Sequence, residues 1–125
     1  MTNGESTEAT IVALDGEFDL AQRGRVIDAF EAAANASLVV VDLERASYID
    51  STVLSCLIRL RSDVAERGGT LVLASLQPMV KRLFEIAGLA ALFETRSTLD
   101  DVRGEYGLED NAIRRIEVVA DVIDS

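Results

Sequence analysis

Hydrophobic positions along the chain fall into two patterns, short continuous runs and stretches in which they recur every three or four residues. The runs Leu38 to Leu43 and Thr70 to Ala74 are nearly continuous and predict strands buried on both faces. A weaker alternation over Thr10 to Leu14 predicts a first strand that ends at the turn signal Asp15-Gly16. Leu92 to Thr95 predicts a short last strand.

Three stretches of helical spacing separate these strands. Asp19 is suited to cap the first, and Pro78 fits the first turn of the third, where its missing N–H costs nothing. The second stretch runs from Val53 to Arg67 and stops at Gly68-Gly69. Strands that alternate with helices predict an α/β domain with a sheet at its centre.

The C-terminal stretch has a different character. After Gly104 and Gly107, apolar residues recur three or four positions apart, at Leu108, Ala112, Ile113, Ile116, Ala120 and Ile123. This spacing predicts an acidic amphipathic helix. The apolar stripe of such a helix must pack against another surface. That surface is the protein's own sheet, a partner protein or a second protomer. We therefore divide the chain into a flexible N-terminus (1–9), an α/β domain (10–103) and a C-terminal extension (104–125).

The composition fits one compact domain that needs no disulfide or metal. The chain has 125 residues, 49% of them hydrophobic, and Cys56 is its single cysteine. Cys56 lies within an apolar helical pattern, so we expect an inert core thiol in a reducing cytosol. The N-terminus has no apolar signal core, and no apolar run approaches the about 18 residues that span a bilayer. We expect a cytoplasmic protein without a membrane partner.

The net charge and the absence of histidine exclude or disfavour several classes of function. The net charge is −10, and residues 1–20 carry five acids and no base. This balance disfavours nucleic acid and anionic lipid as partners and favours a protein, although acidic ends also aid solubility. The chain contains no histidine, which removes the usual catalytic base and the commonest zinc ligand. We expect no enzymatic activity, no cofactor and no metal.

The segment Asp50-Ser51-Thr52 places two hydroxyls at the predicted start of the second helix. A hydroxyl at this position commonly caps the free backbone N–H groups. The same N–H groups and the positive end of the helix dipole could instead accommodate a phosphate. Both interpretations, a simple cap and a phosphorylation switch, are consistent with these residues.

An ordered set of motifs resembles the bacterial anti-sigma factor antagonists of the STAS family. The motifs are Leu14 to Asp19, Val39 to Leu43 followed by Ser47 to Thr52, Gly68 to Val72, and Val80 to Glu85 with Gly88-Leu89. The resemblance spans about residues 10 to 103. It implies a single STAS-like domain whose central mixed sheet of four or five strands is flanked by helices, to which the C-terminal helix would be an addition.

The resemblance also implies a function. Such a protein binds an anti-sigma factor and thereby frees a sigma factor for transcription in a stress response. In this family the serine after the motif's aspartate, here Ser51, is phosphorylated by the anti-sigma factor, a serine kinase, and a phosphatase reverses the reaction. Thr52 is the alternative acceptor. The implied docking residues, expected at one edge of the sheet, are Asp19, Asp42, Asp50, Ser51, Thr52, Val53 and Ser55.

Val53 departs from the family pattern, which has glycine at this position. A branched side chain beside the acceptor implies either a kinase with a matching pocket or a serine that is no longer phosphorylated. The second case corresponds to an alternative function, a STAS interaction module of a signalling or transport assembly without a phosphate switch. The predicted C-terminal helix would cover the docking edge or pair two protomers in a homodimer.

Overall fold

The computed structural model describes residues 8–120, which form a single sheet with helices on both faces. The strands are β1 (Ala9–Phe18), β2 (Leu38–Ile49), β3 (Thr70–Ala74), β4 (Glu94–Arg96) and β5 (Ile113–Val119). The helices are α1 (Arg23–Ala33), α2 (Ser51–Glu66), α3 (Pro78–Ile86) and α4 (Leu99–Tyr106). The predicted α/β class and central sheet are confirmed, and Pro78 opens its helix as predicted.

The five strands lie in the order β4-β3-β2-β1-β5, and each neighbouring pair is parallel. The expected mixed sheet is therefore parallel among the described strands. Parallel neighbours need crossover connections, and each helix supplies one. The central strand β2 is buried over its first six residues, as its continuous apolar run predicts.

The strand order explains how the helices are distributed. The first three crossovers step in one direction across the sheet, from β1 to β4, and the fourth returns past β1 to β5. Right-handed connections therefore place α1, α2 and α3 on one face and α4 on the other. The packing agrees, because Phe30, Leu57 and Phe84 share one core cluster, whereas Val102 joins a second.

The first strand is longer than the sequence predicts. We expected it to end in a turn at Asp15-Gly16, but β1 continues to Phe18. Its register with β2 shifts between Ala13 and Asp15 and again between Gly16 and Glu17. Gly16 has a φ of 119°, a conformation that glycine adopts without a steric penalty. The glycine thus permits a bulge within the strand rather than a turn that ends it.

The predicted C-terminal amphipathic helix is wrong. Residues 99–106 form α4, and the stretch expected to be helical contains β5 at the edge of the sheet. Ile116, Val118 and Ala120 alternate along the strand and pack against the larger core, while Ile113 faces the smaller one. Residues 121–125, which include the last positions of the predicted stripe, lie outside the described residues. A homodimer built on that helix is not supported.

Candidate functional site

Ser51 is exposed at the first position of α2, and Asp50 caps the helix. The carboxylate Oδ1 of Asp50 accepts hydrogen bonds from the backbone N–H of Thr52 at 2.9 Å and of Val53 at 3.3 Å. The hydroxyl cap considered from the sequence is therefore wrong, because the carboxylate fills that role. The Ser51 side chain takes part in no hydrogen bond among residues 8–120, which leaves its hydroxyl accessible to solvent or a partner.

Asp19 lies close to this helix start. The N–H of Asp50 donates to the carbonyl of Phe18 at 3.1 Å, which joins the end of β1 to the start of α2. Asp19 follows directly and caps a short 3-10 turn, Leu20–Gln22, through a hydrogen bond from Ala21. Because the carboxyl ends of parallel strands meet at one edge of a sheet, these two acidic caps belong to one surface.

A groove of about 470 Å³ runs between α1 and α2 from this edge. Thr52 and Ser55, both implied docking residues, line it on one side, and Leu20 and Arg23 line the other. Leu20 is 68% exposed and adds apolar surface to the groove. The groove thus presents apolar surface and hydroxyls, together with two basic and two acidic side chains. The sequence did not identify Leu20 or Arg23, since neither interrupts the pattern around it.

Cys56 lies in the wall of the same groove and is buried, as the sequence predicts. Burial raises the pKa of its thiol, an effect that the positive charge of Arg23 partly offsets. A raised pKa lowers the thiolate fraction at neutral pH, and the thiolate is the reactive form. The side chain therefore acts as a small apolar group.

An apolar patch flanks Ser51 on the side of α3. It consists of the exposed side chains of Tyr48, Met79 and Ile86, which border a depression of about 190 Å³. Arg82 lines the same depression and adds a positive charge. Tyr48 is only three residues before Ser51, which keeps this end of the patch within about 11 Å of the helix start. Exposed apolar residues that cluster are typical of interaction surfaces.

Val53 does not contribute to this surface. Its side chain is fully buried and belongs to the larger core beneath α2. The expectation that Val53 adds apolar bulk beside the phosphoacceptor is therefore wrong in this structure. Val53 is the third residue of α2, and its side chain packs into the core. Ser51 and Ser55, on the same helix, are exposed.

Asp42 is also separated from the Ser51 surface. It follows Leu38 and Val40 at the two-residue spacing of a strand, and both of those residues belong to the core beneath α4. Asp42 therefore lies on the opposite face of the sheet from α2. The expectation that Asp42 gathers with Asp19 at the docking edge is wrong, because residue 42 lies within the 12-residue strand β2 rather than at its end.

Residues 8–120 contain no group of three or more Cys, Asp or Glu side chains placed to hold a metal ion. None of the helices in this range is long and apolar enough to cross a membrane.

Known proteins of similar sequence and fold identify the family of the chain. An anti-sigma-B factor antagonist of Listeria monocytogenes is 30% identical to the chain over 100 residues, which cover 78% of this chain and 88% of the relative. The solved structure of the anti-sigma factor antagonist SpoIIAA in its unphosphorylated form has a TM-score of 0.63 and 19% identity, and covers 86% of this chain and 96% of that one.

A transporter domain has the same fold. The STAS domain of a SulP transporter from Vibrio cholerae has a TM-score of 0.61 and 16% identity, and covers 78% of this chain and 80% of that one. At such identities the two solved structures support the fold alone. The family model of the STAS domain matches residues 2–102, well over half of the sequence. The chain therefore belongs to the STAS domain family.

Proposed function

We propose that this protein is an anti-sigma factor antagonist that is switched by phosphorylation of Ser51. It binds an anti-sigma factor that is a serine kinase, and so releases a sigma factor, in the cytoplasm. The observation that carries the proposal is the exposed, unbonded Ser51 hydroxyl at a capped helix start with apolar surface on both sides. Relatives named as antagonists support it, and STAS domains typically act as interaction modules rather than enzymes.

The electrostatics of the helix start explain why a phosphate would end the interaction. A phosphate adds about −1.5 to −2 charges at pH 7. The N–H groups of Thr52 and Val53 already bind Asp50, so they are not free to hold that phosphate. It would stand beside the Asp50 carboxylate and face the partner. Like charges and the cost of desolvation then oppose docking, and removal of the phosphate by a phosphatase restores it.

The direct test compares Ser51 variants for binding to the anti-sigma factor of the same organism, by calorimetry. Ser51→Asp should weaken binding by about tenfold or more, because it adds a charge within the interface. Ser51→Ala should bind as tightly as the unmodified protein. Ser62→Asp, which adds the same charge at an exposed position later in α2, is the matched control and should also bind as the unmodified protein does. Equal affinities for all four proteins would contradict the switch.

The modification itself is tested with the purified anti-sigma factor and ATP. Intact-mass analysis should show one added phosphate, and peptide mapping across Ser47 to Arg59 should place it on Ser51. Phosphatase treatment should remove it. A phosphate found on Thr52 instead would place the switch at that residue. If neither the protein from cells nor the kinase-treated protein carries a phosphate, the protein binds its partner constitutively and the switch is contradicted.

The second candidate function is a STAS interaction module without a phosphate switch. The likeness in fold to the SulP transporter domain favours it, since that domain is part of a transporter. In such a module the same edge binds a protein of a transport or signalling assembly. Ser51→Asp would then change affinity little, whereas charge substitution at the exposed Leu20 would weaken binding in either case.

A further inference from the structure

Asp42 is a buried carboxylate without a positive partner. It is 6% exposed in the middle of the sheet. Its Oδ1 accepts one hydrogen bond, from the N–H of Glu44 at 3.1 Å. Within residues 8–120, no lysine or arginine nitrogen lies within 4.0 Å of it. Buried carboxylates are normally paired, because burial without compensation is costly. Asp42 therefore has an acceptor oxygen available for a cation.

The register of the sheet shows why this carboxylate lies at the floor of a depression. Asp42 pairs with Ala13 on β1 and with Ala74 on β3, so a small side chain flanks it on each side. The helix α4 covers the other half of this face, around Val40 and Val72. The depression has a volume of about 330 Å³.

The rim of the depression is charged. Three acidic residues line it, Asp15, Glu44 and Glu117, together with Arg45 and Arg115. The arginines already have partners, since Arg45 Nε lies 3.2 Å from Asp15 Oδ2 and Arg115 Nε lies 3.0 Å from Glu117 Oε2. Counted with Asp42, the site has four acids against two bases. A cation that binds in the depression can contact the Asp42 carboxylate at its floor and further carboxylate oxygens at its rim.

We propose that this depression binds the guanidinium group of an arginine side chain on a partner protein, with Asp42 as the principal ligand. A guanidinium has five N–H donors in a fixed plane and pairs with carboxylates through two parallel hydrogen bonds. A metal ion fits less well, because no three metal-ligating side chains converge among the described residues. The net charge of −10 attracts a basic partner. The site is on the opposite face from Ser51 and does not depend on the proposed switch.

The test is an NMR titration of the full chain with the peptide acetyl-Gly-Arg-Gly-amide. We expect weak, saturable shifts at the backbone amides of Ala13, Asp42 and Glu44. The Asp42→Asn variant should bind the peptide about tenfold more weakly, since the substitution removes the negative charge that pairs with the guanidinium. Asparagine keeps an oxygen for the Glu44 N–H, so this variant should fold, which a thermal melt checks. Asp63→Asn, on α2, is the matched control and should bind as the unmodified protein does.

Two further probes define the ligand. The peptide with citrulline in place of arginine has the same shape without the charge, and it should give no saturable shifts. Ethylguanidine carries the guanidinium on a free small molecule with the same single charge as the peptide, and tighter binding of ethylguanidine than of the peptide would overturn the assignment to a protein side chain. Shifts spread over Asp63 and other surface acids, or equal binding by Asp42→Asn, would overturn the site itself. So would a finding that Asp42→Asn and Arg115→Gln both destabilise the fold by the same amount, because Arg115 would then be the partner of Asp42.

Discussion

The two faces of the sheet are built differently. On the face of α1, α2 and α3, the core extends from Val12 to Phe84 and continues under the helix starts. On the other face, α4 covers a smaller core around Ile11 and Val40, and the half near Asp42 carries charged residues instead. One face buries apolar surface along its length, and the other divides into a packed half and a charged half.

This difference follows from the order of the strands. Three crossovers in one direction supply three helices to the first face, while the single return crossover supplies one helix of eight residues to the second. One short helix cannot cover five strands. The uncovered end of the sheet must therefore be polar, and its residues are free to take roles other than packing.

The largest expected effect contrasts a core residue from each face. Leu57→Ala, beneath α2, should lower the free energy of unfolding by about 2–5 kcal/mol, because a fully buried leucine leaves a cavity. Val102→Ala, beneath α4, should cost about 1–2 kcal/mol, since fewer side-chain carbon atoms are removed. Urea denaturation measures both. Equal costs would contradict this order, because the smaller truncation beneath α4 would then cost as much as the larger one beneath α2.

The next prediction concerns Val53, which is buried beside the exposed Ser51. Val53→Gly should lower the free energy of unfolding by about 2–3 kcal/mol, because it removes buried methyl groups and places glycine within a helix. Val53→Ala, which separates the two contributions, should cost about 1 kcal/mol less. A Val53→Gly protein of unchanged stability but altered affinity for the anti-sigma factor would show that this side chain faces the partner in solution.

The smallest expected effect is a pH dependence on the α4 side. Arg96 binds Glu105 of α4 through two hydrogen bonds, at 2.7 and 3.0 Å, and these lower the pKa of the Glu105 carboxyl. A lowered pKa in the folded state stabilises the protein above the unfolded pKa of about 4.3. That contribution is lost as the pH falls through the lowered value.

Glu105→Gln should therefore reduce the dependence of the melting temperature on pH below about pH 4.3, with little change at pH 7 beyond the lost ion pair. The effect should be small, because solvent screens both side chains. Glu109→Gln is the matched control, as Glu109 has no ion pair within the described residues. Identical acid profiles for Glu105→Gln and the unmodified protein would exclude a role for this pair.

Much of the first face could be predicted from the sequence. The buried run Leu38 to Leu43 is nearly continuous, and Pro78 begins its helix. Asp19 caps the 3-10 turn that leads into the first helix rather than the helix itself. The candidate site around Ser51 came from the order of motifs rather than from any one of them. The sequence did not show whether Asp50 or Ser51 caps the helix, because either side chain can accept hydrogen bonds from the free N–H groups of the first turn.

The second face was harder to predict. Apolar residues between Leu108 and Ala120 satisfy helical spacing, yet Ile116, Val118 and Ala120 also satisfy the two-residue spacing of β5. Whether this segment forms a helix or a strand depends on whether an edge of the sheet is free to pair with it. That edge exists only in the tertiary structure. The position of Asp42 was missed for a related reason, since β2 continues to Ile49 beyond its apolar run.

The pairing of β1 with β5 has a consequence for how the molecule folds. Ala9 pairs with Ile113, so this contact joins positions near the two ends of the described chain, whereas β1, β2 and β3 connect through single crossovers. Loop closure costs more entropy over a longer stretch, and long-range contacts slow folding. We therefore expect β5 to dock after the other strands, so that amides on the β5 side of β1 acquire protection from hydrogen exchange last.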